Sequence, residues 1–112
     1  MITLVSLLMA ENVKTIQIGG LTLNPQSSEA FREGQPLGLT KTEFRILLFL
    51  ASSDGSAFSR KEIIETVQGP DYPVTDRCVD GHISELRRKL SEYAPWIETV
   101  RGAGYRFCPE GS

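Results

Sequence analysis

The 112 residues carry a formal net charge of −2, with a pI near 5.4. That balance argues against indiscriminate nucleic-acid binding, which usually needs a basic excess. Two cysteines and one histidine are too few for a disulfide framework or a metal-ligand cluster, so Cys78 and Cys108 are expected as buried or half-buried thiols in a reducing, cytoplasmic compartment. No cofactor is expected, and without an organised nucleophile, base or metal set there is no enzyme chemistry to assign.

The length suits one domain with a single core. The opening MITLVSLLMA is apolar but roughly half as long as a bilayer span, and it lacks the basic start and clear cleavage site of a secretion signal. Residues 1–13 are therefore read as an N-terminal segment or linker, 14–108 as the folded domain and 109–112 as a tail. No membrane partner is expected.

From Lys14 to Leu39 the text is short and alternating, TIQIGGLTLN then EAFREGQPLGL, interrupted by Gly19-Gly20, Asn24-Pro25 and Gly34. This predicts three or four small antiparallel strands. In TKTEFRILLFLASSDG, Thr40 and Glu43 have the spacing of a capping box, and Phe44, Leu47, Leu48 and Ala51 form a helical stripe that ends before Gly55. A second capping box, Ser59 with Glu62, opens SRKEIIETVQG, whose Ile63, Ile64 and Val67 should face inward before Gly69-Pro70 stops it. After the loop PDYPVT, Thr75 caps a third helix. The chain closes with IETV, an RGAG turn and YRF, the pattern of a hairpin with arginines at its tip and just beyond it.

The third helix, RCVDGHISELRRKL, places Val79, Ile83, Leu86 and Leu90 on one apolar stripe. Opposite them stand Arg77, Gly81, Ser84 and Arg88. A helical glycine costs about 1 kcal/mol relative to alanine, so Gly81 suggests that something needs the space beside it. Basic residues crowd the last third of the chain (Arg77, Arg87, Arg88, Lys89, Arg101, Arg106). Local sign outweighs the total there, because exposed charges more than about 8 Å apart are largely screened. Strands, three helices and a closing hairpin suggest an α+β winged helix-turn-helix: a small N-terminal antiparallel sheet, three helices and a C-terminal β-hairpin wing.

The stretches LTKTEFRILLFLA, SRKEII, DRCVDGHISELRRKL and IETVRGAGYRF, covering about residues 15 to 107 in matching order and spacing, resemble the DNA-binding effector domain of the OmpR/PhoB-type response regulators of bacterial two-component systems. What this resemblance implies is transcription regulation by binding double-stranded DNA as a dimer on repeated half-sites, with RNA polymerase touched through loop 69–75. It also implies an upstream receiver domain. These residues carry none, so the chain is expected to be either the effector part of a longer regulator or a stand-alone variant.

Carried over position by position, the family's recognition face is Arg77, Gly81, Ser84, Glu85 and Arg88, with Asp80, His82 and Arg87 alongside. Arginine suits guanine and phosphate through its bidentate fork, which makes Arg77 and Arg88 the leading contacts, and Glu85 either accepts from a cytosine amino group or is a solvent-exposed surface acid. Where many relatives have a branched apolar residue, this chain has Gly81. Asp80 is expected to restrain Arg77 or Arg87, and His82 to make a structural hydrogen bond at the core edge in preference to a DNA contact. The resemblance puts Arg101 into the minor groove, and Tyr105 either touches phosphate or packs in the core. Arg60 and Lys61 open the second helix, where amide groups and positive charge hold a phosphate, or else simply face water. Trp96 reads as a local packing residue. The competing function is a winged helix used for protein–protein interaction with weak or no DNA binding, favoured by the acidic pI, Gly81 and Glu85.

Overall fold

A computed structural model describes residues 15–53, 55–68 and 76–109. The chain divides between Gly38 and Leu39 into two compact units. The first is a four-stranded antiparallel meander of β1 (Ile16–Ile18), β2 (Leu21–Asn24), β3 (Glu29–Arg32) and β4 (Gln35–Pro36), as the alternating pattern predicts. Its tight turns place residues at positive φ, glycines and Glu33 among them. Gly19, at φ 59°, starts the two-residue link that pairs Ile18 with Leu21, and Glu33 and Gly34 at φ 51° and 83° link Arg32 to Gln35. Leu21, Leu23 and Ala30 are buried.

The second unit contains α1 (Lys41–Ala51), α2 (Arg60–Gln68), α3 (Asp76–Leu90), a 3-10 turn (Ser91–Trp96) and the hairpin β5 (Ile97–Val100) and β6 (Gly104–Phe107). Both capping boxes form. Glu43 N–H donates to Thr40 Oγ1 at 3.1 Å while Thr40 N–H donates to Glu43 Oε1 at 3.0 Å. Ser59 and Glu62 repeat the exchange at 3.1 and 2.8 Å. Two orphan amides are thereby satisfied at each helix start.

On α1 the buried set is Glu43, Phe44, Ile46, Leu47 and Leu50, so the predicted stripe is rotated: Leu48 and Ala51 are only half-buried. The reason is that α1 packs against α2, α3 and β6 at once, which encloses more than one face. Burying Glu43 is tolerable because Lys89 Nζ, from the end of α3, lies 2.7 Å from its Oε1. Ile63 and Ile64 of α2 are buried and Val67 is half-buried. The expected stop at Gly69-Pro70, the loop 69–75 and the Thr75 cap lie outside the described residues.

The stripe Val79, Ile83, Leu86 and Leu90 is buried as the wheel requires. The 3-10 turn has no counterpart in the sequence reading; Ser91 adopts φ 56° where it begins, and Pro95 sits inside it. Trp96 is a packing residue, with Tyr93 at 4.4 Å and Phe107 edge-on at 5.9 Å between ring centroids. Both cysteines are half-buried, and neither is in a disulfide.

Candidate nucleic-acid interface

The outer side of α3 presents Gly81, Ser84, Glu85 and Arg88 to solvent, opposite its buried stripe. A Cβ built on Gly81 would meet nothing within 4 Å, so no internal contact demands a glycine there. Arg88 is engaged by its neighbour one turn back: Nε and Nη2 donate to Glu85 Oε1 at 3.1 and 2.7 Å. Arg77 lies in the first turn of α3, and its side chain is outside the described residues.

Two of the expected contacts are committed elsewhere in the fold. Arg87 donates from Nε and Nη2 to the Ile97 carbonyl at 3.1 and 2.6 Å, and from Nη2 to Thr99 Oγ1 at 3.0 Å, so it fastens α3 to β5. Asp80 is not paired with Arg87. Its Oδ1 instead accepts from Arg60 Nε at 2.8 Å and from the Tyr105 hydroxyl, joining α3 to the start of α2 and to β6. Sequence spacing hides this triad, because its members are 20 and 25 residues from Asp80. His82 is half-buried and makes no side-chain hydrogen bond among the described residues, contrary to the expected structural bond.

Tyr105 is a core residue, 5 % exposed, with the Arg60 and Arg87 guanidinium carbons 6.0 and 5.6 Å from its ring centroid. Both distances suit cation–π attraction. Lys61 is exposed with Glu65 3.9 Å away, a spacing worth little in water.

The hairpin pairs Ile97 with Phe107 through to Val100 with Gly104, leaving Arg101, Gly102 and Ala103 exposed in the turn. Gly102 takes φ 81°. Gly104 has a stronger requirement that sequence reasoning missed. The backbones of Phe58 and Tyr105 exchange two 2.9 Å hydrogen bonds, and a Cβ on Gly104 would stand 1.9 Å from the Phe58 carbonyl oxygen. This bridge sets the wing against the segment just before α2. Between them lies a cleft of about 420 Å³ lined by Ser59, Arg60, Thr99 and the turn 100–104.

Comparison with known proteins agrees with this arrangement. The family profile described as "Transcriptional regulatory protein, C terminal" matches residues 34–107. The chain belongs to this OmpR/PhoB-type family. It is 45 % identical over 94 residues to the transcriptional regulatory protein CpxR of Klebsiella pneumoniae, covering 81 % of this chain and 40 % of that protein. The chain thus spans about two fifths of the length of the curated relatives it matches. The crystal structure of the DNA-binding domain of CpxR from E. coli superposes with a TM-score of 0.74 at 40 % identity, covering 86 % of this chain and 97 % of that one. The Klebsiella pneumoniae RstA DNA-binding domain, solved in complex with the RstA box, gives 0.75 at 36 % identity and covers 87 % and 99 %. The fold is the α+β winged helix expected from the order of elements.

In this OmpR/PhoB-type domain the charges around the wing are interlocked. The Arg60 guanidinium, followed by the Tyr105 hydroxyl, holds the Asp80 carboxyl below its ordinary pKa, and burial together with the Asp80 hydrogen bond raises that of Tyr105. Arg88 lowers the pKa of Glu85, and Glu85 raises that of Arg88. Glu98 does the same to Arg106 across the hairpin, 2.9 Å away. Arg101 is exposed in the wing turn, and the Glu85–Arg88 pair is exposed on the outer face of α3. Among the described residues there is no group of three potential metal ligands, and no helix long and apolar enough to cross a membrane.

Proposed function

We propose that this domain binds double-stranded DNA with sequence preference and regulates transcription as the effector part of a two-component regulator. In this reading α3 lies in the major groove, where Arg88, Glu85 and Ser84 meet base edges, and Arg77 meets phosphate or guanine. Gly81 lets the helix backbone come close. Arg101 follows the adjacent minor groove, whose narrow A·T tracts attract guanidinium. Arg60 and Lys61 hold phosphate at the start of α2, and two copies occupy repeated half-sites. Contact with RNA polymerase is assigned to the loop 69–75, which lies outside the described residues.

One observation carries the reading. An α-helix buried along one stripe keeps its opposite face uncovered, and Arg87–Thr99 and Asp80–Tyr105 fasten that helix to a hairpin whose exposed turn bears Arg101. Support also comes from relatives named as transcriptional regulators and from the RstA domain solved with its DNA box. The pairing of Arg88 with Glu85 favours a second reading, in which the face docks a protein, because it cancels much of the positive charge there.

Duplex titration at a series of salt concentrations separates the two. DNA binding through phosphates requires log affinity to fall linearly with log salt. Failure to bind any duplex at low salt sinks the first reading.

A further inference from the structure

We propose that Glu85 and Arg88 act as one unit that reads a G·C base pair in the major groove; this rests on the DNA-binding function proposed above. The ion pair between them uses only part of each side chain. Both Arg88 bonds, from Nε and Nη2, end on the single oxygen Oε1 of Glu85. The outer edge of the guanidinium, Nη1 with the second hydrogen of Nη2, and the Glu85 oxygen Oε2 make no hydrogen bond among the described residues. The two side chains remain 67 % and 50 % exposed for Arg88 and Glu85 on the outer face of α3.

The pair therefore offers two donors followed by one acceptor. A G·C pair offers the complement across the major groove: the guanine acceptors N7 and O6, then the cytosine N4 amino donor. A thymine in place of guanine gives the fork one acceptor and a methyl group. An adenine in place of guanine turns its N6 amino group against a donor. The ion pair also biases Arg88 toward this rotamer before binding, so somewhat less ordering is left to the complex.

The same clamp explains an acid on a DNA-facing surface. An unpaired arginine attracts any phosphate, and phosphate contacts carry no sequence information. With Glu85 beside it, the net charge of the unit is zero, so non-specific attraction is small and matched base edges decide affinity. Glu85 is thus a specificity-determining residue as well as a base contact.

The test starts from a randomised duplex pool selected with the full 112-residue chain. The selected duplex is then titrated with the wild type, Glu85→Ala and Arg88→Ala, each guanine replaced in turn by 7-deazaguanine, which lacks N7, and each cytosine by a pyrimidin-2-one nucleoside, which lacks the amino group. At one G·C pair both analogues should weaken wild-type binding about tenfold, in the range of a single specific contact. The deaza penalty should vanish in Arg88→Ala, the amino penalty should vanish in Glu85→Ala, and Glu85→Ala should bind unselected duplex several-fold more tightly than wild type. Both substituted side chains are exposed, so equal thermal melts are expected and exclude a folding effect. If selection yields a defined site but both variants keep wild-type penalties at every G·C pair, or the site contains no such pair, the inference is overturned while DNA binding stands. If no duplex is enriched above the starting pool, the DNA-binding function fails and this role falls with it.

Discussion

Replacing Gly104 by alanine should damage the fold far more than the same change at Gly102. At Gly102 the backbone has φ 81° but a Cβ would enter open space, so the cost is the left-handed backbone alone, about 1 kcal/mol. At Gly104 φ is 128° and the added Cβ would lie 1.9 Å from Phe58 O, 2.7 Å from Phe58 C and 2.8 Å from Ser59 Cα. All three are backbone atoms, so no side-chain rotation relieves the clash. The Phe58–Tyr105 bridge must open, and its two 2.9 Å hydrogen bonds with it. At about 0.5–1.5 kcal/mol net per bond, that loss is roughly 1–3 kcal/mol. Strained backbone adds about 1–3 kcal/mol more, giving about 2–6 kcal/mol in all. Urea denaturation followed by Trp96 fluorescence measures it, since Trp96 packs edge-on against Phe107 of the same strand. With a slope of about 1–3 kcal/mol per molar urea, a loss of about 4 kcal/mol, the middle of that range, lowers the midpoint by roughly 1–4 M. A Gly104→Ala protein within about 0.5 kcal/mol of Gly102→Ala would refute the reasoning, since the close approach of the wing to Phe58 is the main difference invoked.

Lys89→Met leaves Glu43 buried without its ammonium partner and should cost about 2–4 kcal/mol, somewhat below a fully buried pair because Lys89 keeps 17 % exposure. In a Glu43→Gln background, which retains the capping box, the same change should cost clearly less; equal costs in a denaturation double-mutant cycle would remove the pair from the account. Asp80 has its pKa depressed in the folded state below the ordinary 3.8, so its contribution is present above that pH and is lost as pH falls through the folded value. The stability gap between wild type and Asp80→Asn should accordingly be constant near neutrality and shrink below about pH 4, and a gap that widens on acidification would reverse the assignment. Arg101→Ala should lose more affinity on a duplex with an A·T-rich flank than on one with a G·C-rich flank, at unchanged melting temperature; equal losses would make Arg101 a plain phosphate contact. Gly81→Leu should keep or raise thermal stability, because nothing lies within 4 Å of its Cβ position, yet weaken DNA binding; intact binding would end the spacing explanation.

Local rules made much of this protein legible. Capping boxes depend on residues three apart, so Thr40–Glu43 and Ser59–Glu62 announce two helix starts without any tertiary knowledge. Periodicity on α3 likewise separates Val79, Ile83, Leu86 and Leu90 from the face carrying Gly81, Ser84, Glu85 and Arg88, because a 3.6-residue repeat with one buried side leaves only one solution. On α1 the same rule is off by part of a turn: every position from Ile46 to Ala51 is apolar, and how many neighbours enclose a helix is a property of the packed unit.

The partners of the charged side chains were decided by tertiary structure alone. Asp80 finds Arg60 and Tyr105 from 20 and 25 positions away, and Arg87 finds Ile97 and Thr99 across the turn from helix to hairpin, so no spacing rule could pair them. Gly104 reads in sequence as one more turn glycine. Only the approach of Phe58 makes it a place where no side chain fits, because the bridge requires two backbones to meet at hydrogen-bonding distance. Sequence determines which faces are available, since that depends on neighbours along the chain; the folded unit determines which charges remain uncommitted on them, since that depends on neighbours in space.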